Sequence, residues 1–471
     1  MRIEDWHPEL SHHSGPKFRA LANALREAAR SGQLAPGTRL PPMRDLAWRL
    51  KVTTGTVARA YQLAATEGVI ESHVGRGSFI AGPRPARPAP QPLLYEAVDR
   101  GQGGDAVADL RVPRLPDMGQ PALIGDILAR IGRAMDGDIL DYTPLSRDHD
   151  CREALAGWLG QRPVGSLTAD DLVLTNGGQH AITLVMSLAL ADRPAKAMVE
   201  ALTYPGIVHA ARLMRTETLP IAMDDEGIIP EDLERVARDS GARLVCLTPS
   251  AQNPTLASMG HERRARIVAI ARRHDLQIVE DECYAPSRQS DALPTLRMLA
   301  PERVWHVASL SKVIAAGLRF GMLVCPEGMG QAGRIAAQHS HMGISLPLLA
   351  LVEHLIEGGE AARIAQQVLV EVEDRRWLAL DLLAGLGVRG QPGVPILWLP
   401  LPEPWRAEDF VARLAAAGVI LRPASDFRVG AGDAPEAVRI ALDCRQDRAK
   451  LAQALATIAQ MARSGPDAGP E

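Results

Sequence analysis

Apolar residues in the first part of the chain recur at helical spacing. Between Pro16 and Arg30, the residues Phe18, Leu21, Ala22, Leu25, Ala28 and Ala29 fall on one face, and Gly32 marks a stop. Residues 40–50 predict a short helix entered through Pro41 and Pro42. Thr53 stands as an N-cap ahead of a third helix through Thr56, Val57, Ala60 and Tyr61, which Gly68 closes. Residues 69–72 and 78–80 read as two short strands around Gly75-Arg76-Gly77. Three helices and a hairpin predict a winged helix-turn-helix, an α+β unit in which Val57, Tyr61 and Ala64 face the core.

After residue 105 the pattern changes. Short apolar runs at 172–174, 197–199, 244–247, 277–279, 304–307 and 322–324 alternate with helical stretches. That alternation predicts an α/β domain around a mainly parallel sheet. Between the two patterns, residues 83–92 hold five prolines in ten positions, a semi-rigid extended spacer. The expected organisation is a first domain over 1–82, a Pro-rich linker over 83–105 and a second domain over 106–471. The second would have a large lobe at about 140–330 and a small lobe at about 331–460 plus 106–135, with residues 463–471 a frayed tail.

Charge sharpens the division. The whole chain is −4, yet residues 1–82 carry 11 Lys and Arg against 7 Asp and Glu. A basic small segment beside an acidic large one points to nucleic acid at the N-terminal end. Cys151, Cys246, Cys283, Cys325 and Cys444 are scattered without a CxxC pair, so neither a disulfide frame nor a metal site is expected. The start lacks an apolar stretch and no run approaches 18 apolar residues. Secretion and membrane spanning are therefore not expected, and the expected compartment is the cytoplasm.

Residues 36–80 resemble the winged-helix domain of the GntR family. The likeness is carried by Leu40-Pro41-Pro42-Met43-Arg44-Asp45-Leu46-Ala47, Thr56-Val57, Ala60-Tyr61, Glu67-Gly68-Val69-Ile70 and Gly75-Arg76-Gly77-Ser78-Phe79-Ile80. The third helix would enter the major groove and present its first residues to base edges. Arg44, Thr54, Thr56 and Arg59 are the candidates for base or phosphate contact, and Arg76 at the hairpin tip for a phosphate or minor-groove contact. Gly55 inside that helix departs from the usual polar residue and would cost roughly 1 kcal/mol against alanine.

The chemistry lies in the second domain. Lys312 follows Ser309-Leu310-Ser311, with Gly317-Leu318-Arg319 close behind. Asp281-Glu282-Cys283-Tyr284 follows the run at 277–279, Asn253-Pro254-Thr255 follows 244–247, and Gly177-Gly178-Gln179 follows 172–174 and leads into a helix at His180. Loops at the C-terminal ends of strands converge on one crevice, where open α/β sheets place ligands.

A phosphorylated pyridine aldehyde needs this set of groups. The lysine amine forms a Schiff base, and a buried carboxylate at Asp281 keeps the ring nitrogen protonated. Tyr284 and Asn253 can hydrogen-bond its phenolic oxygen, and Tyr204 can lie on its face. The backbone amides of Gly178 and Gln179 at a helix N-terminus, with Ser309, Ser311 and Arg319, suit its phosphate.

Residues 106–460 resemble the fold type I pyridoxal-5′-phosphate enzymes with class I/II aminotransferase motifs. That resemblance implies Lys312 as the Schiff-base lysine, Asp281 as the pyridinium partner and Arg439 as the arginine for a substrate or effector carboxylate. It also implies that Tyr142 reaches the phosphate of a neighbouring subunit in a homodimer. Tyr284 belongs with Lys312 and Asp281 to the catalytic set, whereas His180 reads as a helix-start residue and Glu282 as a supporting one. Arg147 stands where that family usually has glycine, and residues 111–116 also lack a usual glycine, both on the substrate side.

A GntR-type reader joined to an aminotransferase-like domain resembles the MocR subfamily of bacterial regulators. The resemblance implies a DNA-binding transcriptional regulator that carries pyridoxal 5′-phosphate, binds promoter double-stranded DNA as a dimer and senses the cofactor or a small amine or amino-acid effector. The alternatives are an active aminotransferase with an appended DNA-binding domain and a regulator whose lobe has lost the cofactor.

Overall fold

The computed structural model describes residues 6, 8, 16–66, 69–73, 77–81, 108–282, 284 and 293–466. Internal contacts divide the chain into two compact units, Met1–Leu93 and Leu94–Glu471.

In the first unit, α1 (Lys17–Arg30) starts after Pro16 and α2 (Met43–Arg49) after Pro42, each proline supplying a pre-set φ where a helix needs no donor. The third helix, α3 (Thr54–Thr66), follows Thr53, whose hydroxyl accepts from the Thr56 amide at 3.2 Å. Gly55 therefore lies in the first helical turn, not in the interior, and costs less than the sequence suggested. A hairpin of β1 (Ile70–His73) and β2 (Gly77–Ile80) pairs Ile70 opposite Ile80, and Arg39 bridges to Phe79. Leu21, Leu25, Leu46, Val57, Ala60, Tyr61, Ala64, Ile70 and Ile80 form one buried cluster. Tyr61 donates to the Pro41 carbonyl at 2.9 Å, and burial holds its phenol well above the usual range. Gly68, Gly75, Arg76, Cys283 and the linker over 83–105 lie outside the described residues.

The second unit runs β3 (Ala108–Asp109), α4 (Gln120–Ala134), α5 (His149–Leu159), β4 (Leu172–Thr175), α6 (Gly178–Ala189), β5 (Lys196–Glu200), α7 (Pro205–Leu213) and β6 (Glu217–Ile221). It continues with β7 (Met223–Asp224), β8 (Gly227–Ile228), α8 (Pro230–Ser240), β9 (Leu244–Leu247), α9 (His261–Arg273), β10 (Gln277–Asp281), α10 (Leu296–Leu299), β11 (Val304–Ser309) and β12 (Gly321–Val324). Then come α11 (Gly330–His341), α12 (Leu346–Glu357), α13 (Glu360–Leu382), β13 (Arg389–Gly390), β14 (Ile396–Pro400), α14 (Ala407–Ala416), β15 (Val419–Ile420), β16 (Arg422–Pro423), β17 (Ala437–Ala441) and α15 (Arg448–Ser464).

The central seven-stranded sheet has the order β4-β12-β11-β10-β9-β5-β6. It is parallel except for β12, which runs antiparallel to both neighbours. Six of its strands coincide with the apolar runs in the sequence, because strands covered on both faces read as continuous hydrophobic stretches. The seventh, β6, contains Pro220 and sits at the edge, where a missing donor is tolerated. A second sheet, β13-β14-β17-β16, is followed by the C-terminal helix α15. β3 pairs with β15, and Arg114 bridges to Asp443, so the residues just after 107 are tied to the C-terminal part. The free cysteines Cys151, Cys246, Cys325 and Cys444 are all buried.

Candidate functional site

On the first unit, α3 buries Val57, Ala60, Tyr61 and Ala64, which leaves Thr54, Gly55, Arg59 and Gln62 on its solvent face. Arg44 on α2 is also exposed. Thr56 shares a hydrogen bond of 2.9 Å with Thr53 through their side-chain oxygens, so one candidate reading group is partly engaged in capping. Trp48, four residues after Arg44 on α2, is 83% exposed, a feature the sequence motif did not mark.

In the second unit, the C-terminal ends of β4, β9, β10 and β11 open into one cavity of about 880 Å³. Lys312, Asp281, Tyr284, Asn253, Tyr204, Gly178, Gln179, Ser309, Ser311, Arg319 and Arg439 all line it. The size suits a small cofactor together with a ligand. Tyr142 does not line it and is 80% exposed instead.

One end of the cavity is shaped for an anion. α6 begins at Gly178, two residues earlier than the helix start placed at His180, so the amides of Gly178 and Gln179 head the helix. Gly177 adopts φ +82° and ψ 170°, a conformation essentially restricted to glycine. A Cβ there would come 2.7 Å from Arg319 Nη2, and a Cβ at Gly321 would come 2.6 Å from the Gly177 carbonyl carbon. Arg319 itself is left-handed at φ +50° and donates to the Asn176 carbonyl at 3.4 Å. The Ser311 hydroxyl is buried with no hydrogen-bond partner among the described residues. Ser309 differs: its Oγ accepts from the Ser311 amide at 3.1 Å and donates to the Phe320 carbonyl at 3.2 Å. Its proton is spent on the backbone. A glycine-cleared helix start, a guanidinium and an uncommitted buried hydroxyl fit a phosphate group.

The middle carries Lys312, whose Nζ lies 5.8 Å from the centre of the Tyr284 ring. Asp281 ends β10 on the cavity wall. Behind them lies a group that the sequence reading passed over. Glu200, at the end of β5, has no solvent exposure and accepts from the Thr248 amide at 3.1 Å, Gln252 Nε2 at 3.0 Å and Thr203 Oγ1 at 3.3 Å. Burial pushes its carboxyl up to about 8 despite those donors, and Asp281 adds to the rise. The same strand-end logic that marked Asp281 would have found it. Glu282 is buried beside Arg264 and Ser250, and burial raises its carboxyl too; it does not line the cavity.

At the other end Arg439 is 5% exposed. Its Nη1 donates to Asn253 Oδ1 at 2.9 Å, its Nη2 donates to the Arg111 carbonyl, and its guanidinium carbon lies 4.7 Å over the Phe427 ring. Burial lowers it to about 10, which leaves it cationic at neutral pH. The stretch 112–117 forms a wall of the cavity, held by Arg114 through ion pairs to Asp443 at 2.8 Å and Asp109 at 3.2 Å. Gln120, at the start of α4, donates to the Ile314 carbonyl at 3.2 Å and ties that wall to the lysine loop. His180 lies in the first turn of α6, and burial brings it down to about 4, so it is neutral above acid pH.

Among the described residues, no cluster of three or more His, Cys, Asp or Glu could hold a metal ion, and no helix is long and apolar enough to cross a membrane.

Comparison with known proteins agrees with both halves. Residues 112–458 match the family of class I and II aminotransferases, and residues 18–80 match the gntR family of bacterial regulatory proteins. The HTH-type transcriptional regulator YdeF of Bacillus subtilis is 26% identical over 96% of this chain and 95% of its own length. The vitamin B6 salvage pathway transcriptional repressor PtsJ of Salmonella typhimurium is 27% identical over 88% of this chain and 92% of its own. Among solved structures, LysN, the α-aminoadipate aminotransferase of Thermus thermophilus, superposes with a TM-score of 0.66 at 26% identity, covering 76% of this chain and 93% of LysN. The chain therefore belongs to the class I and II aminotransferase family, and it joins that domain to a gntR-family winged helix in the arrangement of the MocR-type regulators.

Proposed function

We propose that the protein is a DNA-binding transcriptional regulator whose aminotransferase-like domain holds pyridoxal phosphate and responds to an amine or amino-acid effector. Residues 1–82 act as reader, 83–105 as spacer and 106–471 as sensor. One observation carries the reading: Lys312, Asp281, Asn253, Tyr284 and the glycine-cleared start of α6 share one cavity in a chain that also bears an exposed Thr54–Arg59 helix face. PtsJ, which matches along nearly the whole chain, is by name a repressor in vitamin B6 salvage.

The bound cofactor supplies an electrophilic carbon and an electron sink. Lys312 Nζ is the amine that holds it covalently. Asp281 keeps the proton on its ring nitrogen, and Tyr284 and Asn253 orient its phenolic oxygen. Gly178, Gln179, Ser311 and Arg319 bind its phosphate, with Ser309 shaping the turn that presents Ser311. Tyr142 serves a neighbouring copy in a homodimer, which accounts for its exposure here. Arg439 binds the carboxylate of an arriving amino acid, and the wall at 112–117 limits access to water. An effector acts on DNA binding only through different affinities for two states of the sensor.

The test is a mobility-shift titration of the upstream promoter DNA, with and without pyridoxal phosphate, beside borohydride reduction and peptide mapping. A pyridoxyl adduct on Lys312 and cofactor-dependent promoter affinity are expected. Absence of the adduct in saturated material overturns the sensor assignment. Arg59→Ala should lower the slope of log affinity against log salt by about one unit if Arg59 meets a phosphate.

A second reading, residual transamination, is favoured by the presence of Lys312, Asp281 and Arg439 in one cavity and by likeness to the 2-aminoadipate transaminase of Thermus thermophilus, 29% identical over 64% of this chain. Turnover of an amino acid with a keto acid would establish it.

A further inference from the structure

One buried acid stands behind the cavity with no part in the chemistry assigned so far. Glu200 ends β5 and is wholly shielded from solvent, yet its hydrogen-bond partners are all neutral. The Thr248 amide meets one carboxyl oxygen, and Gln252 Nε2 and Thr203 Oγ1 meet the other. The ionisable groups that bear on it, Asp281 on β10 and the Cys246 thiol on β9, bring no positive charge. A buried carboxyl held only by neutral donors is costly to keep, so stability alone does not account for it.

What Glu200 fixes is one side-chain amide. Gln252 has no solvent exposure, and both ends of its amide are committed. Nε2 donates to Glu200, to the Leu202 carbonyl at 2.7 Å and to the Asn253 carbonyl at 3.0 Å. Oε1 accepts from the Thr255 amide at 2.9 Å and from the Thr255 hydroxyl at 2.7 Å. Turned over, that amide would set Oε1 against two carbonyls and Nε2 against the Thr255 amide. Its orientation has one solution, and Glu200 anchors it to β5. The same brace joins two loops that reach the cavity: 201–204, which carries Tyr204, and 248–256, which carries Asn253. Asn253 Oδ1 accepts from Arg439 Nη1 at 2.9 Å, so Nδ2 is the end of that amide with a proton for a ligand.

We propose that Glu200 is a positioning residue for the cofactor ring: through Gln252 it sets the pose of Asn253, so that Asn253 Nδ2 meets the phenolic oxygen while Oδ1 stays with Arg439. This rests on the cofactor site proposed at Lys312. Glu200 is needed for its two acceptor oxygens. In Glu200→Gln one of them becomes a donor. Whichever way round the new amide sits, it faces either the Thr248 amide or Gln252 Nε2, donor against donor, and the brace loosens at that end. A hydrogen bond to the ionised phenolic oxygen favours the charged form and lowers the pH at which the proton leaves. Loss of the Asn253 contact therefore raises that pH.

The test is run on the full chain with Glu200→Gln, Gln252→Leu, Asn253→Ala, and Glu200→Gln combined with Asn253→Ala. In the cofactor-free proteins, amide hydrogen exchange read by mass spectrometry reports on the brace itself. Glu200→Gln and Gln252→Leu should each speed exchange in 201–204 and 248–256 together while leaving α15 unchanged. In the proteins loaded with pyridoxal phosphate, both changes should raise the pH midpoint of the visible absorbance band by about one unit, as for loss of one hydrogen bond to a charged oxygen. Asn253→Ala should raise it as much, and adding Glu200→Gln to it should move it no further. An unshifted midpoint in Glu200→Gln, with only the melting temperature lowered, makes Glu200 a packing group and overturns the proposal. So does a double-variant shift equal to the sum of the two. If the native chain gives no pyridoxyl adduct at Lys312, the cofactor reading fails and the ring as the positioned group fails with it, whereas paired exchange in the two loops still supports the brace on Asn253. Exchange that rises in one loop alone overturns the brace whether or not cofactor binds.

Discussion

Gly177→Ala tests whether the start of α6 and Arg319 form one phosphate cup. The new methyl would stand 2.7 Å from Arg319 Nη2 and 3.1 Å from its Cζ, closer than real Cβ contacts allow at the first atom. The backbone at φ +82° and ψ 170° adds about 1–3 kcal/mol of strain for any side chain. Arg319 must swing away, losing its 3.4 Å contact with the Asn176 carbonyl and its place beside Gly178 and Gln179. A hydrogen bond to a charged group contributes about 1.5–3 kcal/mol. Cofactor affinity should therefore fall about 10- to 150-fold. Equilibrium dialysis with pyridoxal phosphate measures this in Gly177→Ala, Arg319→Gln and the double variant. Because both changes act through the same guanidinium, the double variant should bind no more weakly than Arg319→Gln alone. Losses that add, or a Gly177→Ala protein that binds as well as the native chain, would refute the shared cup.

Two further outcomes concern buried polar groups. Glu200 has a folded value of about 8 against 4.5 for an ordinary glutamate, so its neutral form stabilises the fold fully below 4.5 and that stabilisation is lost as pH rises through about 8. The swing is about 4–5 kcal/mol at most, at 1.36 kcal/mol per unit. Glu200→Gln should cost about 1–3 kcal/mol near pH 5.5, where its amide meets the Gln252 Nε2 donor, and that deficit should shrink by pH 9; melting curves at the two pH values showing a constant or widening gap would sink the argument. In the first unit, Tyr61→Phe leaves the Pro41 carbonyl without its 2.9 Å partner and should cost about 1–2 kcal/mol. The melting step of that unit should fall by several degrees while carboxylate binding by the other unit stays put.

Much of this protein was legible along the chain. Local rules set the helices of the first unit: Pro16 and Pro42 ahead of α1 and α2, Thr53 capping α3, and apolar residues at helical spacing. Six strands of the central sheet were readable because full burial leaves an unbroken apolar run, whereas β6, partly exposed and containing Pro220, has no such pattern. The candidate site was legible where one residue's chemistry and its strand-end position suffice, as for Lys312, Asp281 and Asn253.

What depends on juxtaposition across the fold was not. Glu200 matters through Thr248 and Gln252, 48 and 52 residues away along the chain. Ser309 looks equivalent to Ser311 until the Phe320 carbonyl claims its proton. Periodicity and turn chemistry are local quantities, written in neighbouring residues. The charge balance and hydrogen-bond partners of a cavity are sums over distant segments, and only tertiary packing carries them out.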